Sequence, residues 1–178
     1  MLSKRPSPLN ALLVLALVAG LLVWWVSALA NEDPLWFLRS FTAQADWITI
    51  YWDGQMTVTF PGDPEYTAAM DAFAGAIERW SGYEGSVGLS DESLELYRTE
   101  GRFVELHYNE PVKVHTRHLY PEARVFFVPL SGTHATYRRV FSGLADVPRI
   151  GVLNLGEESF AAFYDAAEQA AQHSISPD

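Results

Sequence analysis

The chain has 178 residues, no cysteine and a formal net charge of −10. Without cysteine it has no disulfide framework, no zinc–thiolate site and no lipid attachment through a lipoprotein cysteine. The first 30 residues carry Lys4 and Arg5 and no acid, so the rest of the chain has a net charge of −12. This acidic balance argues against nucleic acid as a partner and against charge-driven binding to anionic lipid.

Residues 9–30 form an almost uninterrupted apolar run, and its central part, Ala11–Val26, has no polar side chain. Because no backbone amide can stay unpaired in hydrocarbon, the run is predicted to be a transmembrane helix. At about 1.5 Å per residue it reaches roughly 33 Å, enough for a bilayer core of about 30 Å. Lys4 and Arg5 precede it, so the positive-inside rule predicts that residues 1–8 are a cytoplasmic tail and that the chain beyond the helix is extracytoplasmic.

The same segment also has features of a cleavable signal peptide. Ala28-Leu29-Ala30 is an A-x-A cleavage motif, and polar residues follow it. The apolar run is long for a signal peptide, and Trp24 and Trp25 precede the site, which favours a retained signal-anchor. We therefore expect a single-pass cell-membrane protein, with secretion after cleavage following Ala30 as the alternative.

Beyond the apolar run, the sequence predicts one domain with a short connector. In the membrane-proximal connector, residues 31–45, Asp33-Pro34 is typical of a helix start and predicts an interfacial helix or a continuation of the membrane helix past a kink. The alternative is that the apolar residues that follow, up to Phe41, dock onto the core of the domain itself. Residues 46–173 are long enough for one extracytoplasmic domain with its own core, and residues 174–178 are expected to fray.

A hairpin is predicted around Asp53-Gly54, between two β-branched and aromatic segments. The two-residue type I′ turn that Asp-Gly favours would pair Ile50 with Thr57. A three-residue loop ending at Gly54 would pair Ile50 with Met56 and collect the apolar side chains on one face. Because a one-residue slip moves every side chain to the other face, we expect burial to decide and the three-residue loop to form.

Apolar residues at helical spacing predict two long amphipathic helices, over 64–80 and 157–172. A shorter helix is predicted to begin at the capping Ser90 and to end at Gly101, because two acids occupy its first turn and Leu89 and Leu94 have the spacing of a hydrophobic staple. Period-two patterns predict five further strands: 102–108, 112–117, 125–130, 137–141 and 149–155. Pro111 separates the first of these strands from the second. Strands that occur in runs predict an α+β fold, a mostly antiparallel sheet with amphipathic helices packed on one face. The residues expected to be buried together are Phe73, Ile77, Val104, Leu106, Phe127 and Phe163.

The sequence contains no H-E-x-x-H, Walker, G-x-G-x-x-G or G-x-S-x-G motif, and we predict no cofactor. Four of the five histidines nevertheless lie close together in sequence: His107, His115, His118 and His134. His115 and His118 form an H-x-x-H, but in a strand or loop residues three apart point to opposite faces. We therefore predict no metal site, and we expect His115 on the solvent face of a strand beside Lys113 and Arg117.

The segment Ser131-Gly132-Thr133-His134 follows a predicted strand, where a hydroxyl and an imidazole can act as nucleophile and base. Short Ser/Gly/Thr runs are mostly turns, and no acid can be named that would orient the histidine. The candidate catalytic residues are His115, His118, Ser131 and His134.

The basic residues concentrate in the second half of the chain, and Lys113, Arg117 and Arg124 are the candidate ligand-binding residues. At alternate strand positions these cations would share one sheet face, which would suit an anionic ligand or an acidic partner. The alternative is a solvated face whose cations pair with nearby carboxylates.

The sequence best fits a membrane-anchored extracytoplasmic binding or interaction domain of unknown ligand, such as an accessory or sensing module of a membrane complex. Its expected partners are the membrane, through residues 9–30, and another protein, but not nucleic acid. The alternative is an extracytoplasmic hydrolase that uses the group of His107, His115, His118 and His134.

Overall fold

The computed structural model describes residues 7–38, 40–116, 122–144 and 148–175. Within these ranges the chain combines helices with a seven-stranded antiparallel sheet, so the predicted α+β class is confirmed. The chain divides into two compact units. The helical unit consists of Met1–Leu38 and His115–Leu119, and the sheet unit consists of Arg39–Val114 and Tyr120–Asp178.

The helical unit contains the predicted N-terminal apolar helix, α1 (Pro8–Ala30). The helix begins at Pro8 because the Ser7 side chain accepts a hydrogen bond from the backbone N–H of Asn10 at 3.2 Å. Its 23 residues are long and apolar enough to cross a membrane, a property that signal sequences share. None of them is buried.

The residues after α1 form a turn and not the short helix expected at Asp33-Pro34. The Asp33 carboxylate accepts the backbone N–H of Leu35 at 2.8 Å, and residues 34–37 form a turn. An aspartate that bonds the backbone two residues further on stabilises a turn in competition with a helix, which explains the difference.

Within its described residues, the sheet unit contains seven strands and four helices. In chain order they are β1 (Trp47–Trp52), β2 (Gln55–Thr59), α2 (Pro64–Glu78), β3 (Gly82–Glu84), α3 (Asp91–Thr99), β4 (Arg102–Val112), β5 (Ala123–Pro129), α4 (Gly132–Thr136), β6 (Arg139–Gly143), β7 (Pro148–Asn154) and α5 (Glu157–Ile175). The strand order across the sheet is β2-β1-β4-β5-β6-β7-β3. The edges of the sheet are therefore β2 and β3.

The strand boundaries differ from the prediction around Pro111. The two strands expected over 102–108 and 112–117 form one strand, β4, which runs through Pro111 and ends at Val112. The pairing of β4 with β5 shifts register between His107 and Val112. Proline has no N–H to donate to the ladder, so it interrupts the pairing locally without ending the strand.

The core consists of two clusters of buried residues. The first joins α2 and α5, through Phe73, Ile77 and Phe163, with Val104 and Leu106 of β4. It therefore holds five of the six residues predicted to be buried together. The sixth, Phe127, is buried in the second cluster, while its neighbour Phe126 is buried in the first, because successive strand residues point to opposite faces.

The second cluster is formed by α3 and the alternate strand positions. Its aromatic members stack in sequence: the ring centroid of Phe103 lies 5.5 Å from that of Tyr97 and 6.2 Å from that of Phe127. Leu94 of α3 and Phe141 of β6 complete its apolar contacts. The sheet is therefore buried on both faces along β4 and β5.

The connector joins the first cluster from Phe41 onward. The Phe41 ring lies 5.7 Å from that of Phe73 and 5.8 Å from that of Phe126, and its backbone N–H donates to Glu78 at 3.1 Å. Ala45 is also buried, and its carbonyl oxygen accepts the hydroxyl of Tyr66. The core of the sheet unit therefore begins several residues before β1.

The hairpin between β1 and β2 has the two-residue turn, and the expected three-residue loop is wrong. Ile50 pairs with Thr57. Asp53 and Gly54 have φ values of +49° and +84°, the positive pair that a type I′ turn requires and that Asp-Gly supplies.

The burial argument failed because the apolar residues of the two strands lie on opposite faces of the hairpin, and only the face with the isoleucines is buried. Ile48 and Ile50 are buried in the first cluster. Met56 and Val58 point to the opposite face, where they are 64% and 40% exposed. In this register both isoleucines of β1 are buried, while the apolar side chains of β2 remain exposed to solvent.

We expect Phe73→Ala to lower the free energy of unfolding by about 3–5 kcal/mol, because the change removes a fully buried ring and leaves a cavity. Phe60→Ala is the matched control: its ring is 54% exposed, so the loss should be within about 0.5 kcal/mol. Chemical denaturation of the full-length protein measures both. A loss below about 1 kcal/mol for Phe73→Ala would show that this face of α2 is not core.

Candidate functional site

A cleft of about 440 Å³ lies between α3, α4 and the start of β4. Its walls combine one exposed leucine, one tyrosine, one carboxylate, one imidazole and several hydroxyl groups. The lining residues are Ser93, Leu96, Tyr97, Glu100, Gly101, Ser131, Gly132, Thr133 and His134.

The wall formed by α3 is positioned by its N-terminus and its apolar face. The Ser90 side chain accepts the backbone N–H of Ser93 at 3.2 Å, which begins the helix as predicted. Leu94 and Tyr97, three residues apart, then point to the second cluster and are buried. Leu96 lies off this buried stripe and is 54% exposed at the cleft.

The opposite wall is held by two close contacts with its neighbours. The Ser131 hydroxyl accepts the backbone N–H of Arg102 at 2.9 Å, which ties the end of β5 to the start of β4. Gly132 has a φ of +71°, and a Cβ there would lie 3.1 Å from the hydroxyl oxygen of Tyr97. Only glycine fits this combination of backbone conformation and close approach, so Gly132 sets the distance between the two walls.

His134 belongs to a chain of polar side chains that continues behind the cleft. Its Nδ1 lies 3.1 Å from Nη1 of Arg139, whose Nη2 contacts the Glu84 carboxylate at 2.7 Å. The other oxygen of Glu84 accepts the side-chain amide of Asn154 at 2.7 Å. The guanidinium of Arg139 also lies over the ring of Tyr137, 4.6 Å from its centroid.

This chain of contacts determines the protonation of His134. Arginine can only donate, so Nδ1 accepts its hydrogen bond and the ring proton is on Nε2. Burial lowers the pKa of His134, the positive charge of Arg139 lowers it further, and Glu84 opposes them. The hydrogen bond from the Asn154 amide lowers the pKa of Glu84, and Arg139 lowers it as well. Burial raises this pKa but has a smaller effect than the Asn154 hydrogen bond, so the Glu84 carboxylate stays charged. His134 is therefore a neutral hydrogen-bond donor at neutral pH.

Two of the candidate catalytic residues, Ser131 and His134, line the same cleft. Their surroundings differ from those of a nucleophile and its base. Arg139 occupies the ring nitrogen that an orienting acid would contact in a Ser-His-Asp arrangement, and Ser131 accepts a backbone N–H. Both residues line the wall of the cleft.

The remaining candidates lie elsewhere or outside the described ranges. His115 follows the end of β4 and is not on a strand; its Nδ1 lies 2.9 Å from the Asp33 carboxylate inside the helical unit. Its expected position on the solvent face of a strand is therefore wrong, because β4 ends at Val112. Lys113 also follows β4 and is half-buried. His118 and Arg117 lie outside the described residues.

Arg124 is exposed on β5, and its guanidinium donates to the carbonyl oxygen of Asn109 at 2.6 Å. His107 lies on β4 with its ring stacked on Trp47, the centroids 4.6 Å apart. Its Nε2 is 3.2 Å from the Glu105 carboxylate. Among the described side chains, no group of three or more His, Asp or Glu residues is placed to hold a metal ion.

A second buried polar group, which the sequence analysis missed, lies on β4. Glu105 is 2% exposed, and Arg98 of α3 contacts its carboxylate at 2.6 Å. The sequence carried one signal for it, a charge in the middle of a strand whose other residues are mostly apolar. A buried carboxylate needs such a partner, so Arg98 attaches α3 to the sheet.

Comparisons with protein-family models, with curated proteins and with solved structures found no match to this chain. The interpretation of the cleft therefore depends on its own chemistry. That chemistry consists of a neutral imidazole donor, several hydroxyl groups, one carboxylate and an apolar surface larger than the polar one.

We expect His134 to titrate below 6.5, its ordinary value. Arg139→Gln should raise the pKa of His134 because it removes the neighbouring positive charge, whereas Glu84→Gln should lower it further. NMR titration of the imidazole signals measures all three proteins. The neutral ring stabilises the fold fully above about pH 6.5, and this contribution is lost as the pH falls through the folded pKa. An unchanged pKa in Arg139→Gln would contradict this electrostatic account.

Proposed function

We propose that this protein is a single-pass membrane protein with a cytoplasmic N-terminus and an extracytoplasmic sheet unit that binds a small uncharged ligand rich in hydroxyl groups, such as a saccharide. The ligand would occupy the cleft between α3 and α4, while α2 and α5 cover the opposite face of the sheet. The protein would serve as an accessory or sensing module of a membrane complex. The observation that carries this proposal is the neutral His134 donor in a hydroxyl-lined cleft.

The membrane anchor is supported by the length and exposure of α1. None of its 23 residues is buried, and an apolar surface of this size is costly to leave in water. Lys4 and Arg5 precede it without a neighbouring acid, which favours a cytoplasmic N-terminus.

The ligand class is supported by the size and polarity of the cleft. A volume of about 440 Å³ falls in the range of small-molecule sites, about 300–1,000 Å³. Ligand hydroxyl groups would accept a hydrogen bond from His134 and donate to the Glu100 carboxylate. The exposed Leu96 would contact the apolar face of a sugar ring. An anionic ligand would find no positive charge on His134 to pair with and would meet the Glu100 carboxylate.

The hydrolase alternative is less well supported at this cleft. A general base needs a free nitrogen lone pair within reach of the nucleophile. The contact between Arg139 and Nδ1 uses the lone pair of neutral His134, and its other nitrogen carries the proton. This arrangement favours binding over acyl transfer.

The topology has a direct test. Protease added to right-side-out vesicles should digest the chain beyond Ala30, and the mature protein should keep residues 1–30 and stay with the membranes through a carbonate wash. Full protection of the C-terminal part would overturn the proposed orientation. A mature N-terminus at Asn31, measured by mass spectrometry, would establish the secreted alternative.

The cleft is tested with two matched threonine variants on α4. Thr133→Trp should fill the cleft and weaken saccharide binding at least about tenfold, which corresponds to about 1.4 kcal/mol. Thr136 is exposed on the same helix but does not line the cleft, so Thr136→Trp should leave saccharide binding unchanged. Saturation-transfer NMR with glucose and N-acetylglucosamine on the detergent-solubilised full chain measures the binding. Equal binding by both variants, or no binding of either probe to the unmodified protein, would reject the cleft as a saccharide site.

A further inference from the structure

We infer that strand β2 is a self-association edge, at which two copies of this chain pair antiparallel and join their sheets. The inference rests on the proposed membrane anchor, which holds the copies close together. Its structural basis is the contrast between the two edges of the sheet, β2 and β3.

The edge strand β2 lacks the features that usually prevent edge pairing. It runs Gln55-Met56-Thr57-Val58-Thr59 with no charged residue and no proline, and its pairing with β1 shows no register shift. Proteins usually protect an edge with charges, proline, a bulge or a very short strand. The other edge, β3, is protected because it is very short: it has only three residues, one of which is the charged Glu84.

The backbone groups that face outward from β2 belong to its apolar residues. A two-residue hairpin places Trp52 and Gln55 in a hydrogen-bonded pair, so bonding to β1 alternates along β2 and also includes Thr57. The N–H and C=O groups of Met56 and Val58 therefore point away from β1. These two side chains and that of Phe60 are the exposed large hydrophobic residues of this segment.

The available backbone groups select one register. Phe60 is already occupied, because its N–H donates to the Asp63 carboxylate at 2.8 Å and its carbonyl accepts the N–H of Asp63 at 3.0 Å. A two-fold axis at Thr57 pairs Met56 of each copy with Val58 of the other. Each such pair exchanges two backbone hydrogen bonds, and the four apolar side chains lie on one face. An axis at Val58 would give only one such pair.

The strand that pairs with β2 is the β2 strand of a second copy, because this register is self-complementary and places no like charges opposite each other in the strand. Five residues a side cover far less than the roughly 1,200 Å² of a stable soluble interface. The pairing therefore needs the raised effective concentration that tethering to one membrane supplies. The acidic sheet unit would oppose close approach, so pairing should increase with salt.

Disulfide cross-linking tests the register cleanly, because the chain contains no cysteine. Across the axis, Thr57 faces Thr57 as a non-hydrogen-bonded pair, with Cα atoms about 4.5 Å apart, within disulfide reach. The two Gln55 residues would be about 14 Å apart, beyond it. In oxidised native membranes, full-length Thr57→Cys should give at least about tenfold more disulfide dimer than Gln55→Cys, although Gln55 is the more exposed of the two residues.

A second pair of variants separates pairing from chance collision. In the Thr57→Cys background, Val58→Lys should abolish the disulfide dimer by placing a charge at the edge, and Val58→Thr should retain it. Val58 is exposed enough for both changes to leave the fold intact, which thermal unfolding verifies.

Several outcomes would overturn the inference. Equal dimer from Gln55→Cys and Thr57→Cys would indicate collision, and no dimer from Thr57→Cys in the membrane pellet would reject the pairing while leaving the anchor intact. A cross-linked product whose mass is not twice that of the chain would identify a different protein on β2. Recovery of the protein in the soluble fraction would reject the anchor and, with it, the pairing.

Discussion

The alternation of side chains along β4 is the constraint on which the rest of the sheet unit depends. Val104 and Leu106 point to the face covered by the long helices, and Phe103 and Glu105 point to the face covered by α3. Because both faces are buried, each residue of this strand must suit one particular neighbour. A shift by one position would place Glu105 in the aromatic cluster under α2 and α5 and leave it without Arg98.

The second face combines aromatic stacking with paired charges, and the candidate cleft depends on both. Tyr97 stacks on Phe103, and the ring of His134 meets that of Phe141 edge-on, with centroids 5.1 Å apart. The cleft wall is thus continuous with the second cluster. Behind it, Glu84 holds Arg139 against His134, so the electrostatic state of the cleft depends on residues that do not line it. Such positioning residues favour one orientation of the imidazole.

The elements with strong local signals were predictable. The helix of Ser90 to Gly101 was located by its cap, its acidic first turn and its staple position, and α2 and α5 by their apolar stripes. Short elements without a local pattern were not: β3 has three residues, and α4 occupies a run of small polar residues that is typical of a turn. The hairpin register was misjudged because burial was assumed for both strands, when β2 lies at the edge and buries one face only.

The same distinction explains the site. Ser131 and His134 are close in sequence and were found, but Glu84, Arg139 and Asn154 meet across 55 to 70 residues, which no local spacing can reveal.

The packing of Phe41 against Phe73 and Phe126 limits where the sheet unit can be separated from the N-terminal apolar helix. A cut after Phe41 would remove its ring from the interior of the fold, and a cut after Ala45 would also remove the carbonyl that accepts the Tyr66 hydroxyl. A processing enzyme that released an intact fragment would have to cleave before Phe41. The same limit applies to any recombinant fragment, which must retain Phe41 and the residues that follow it.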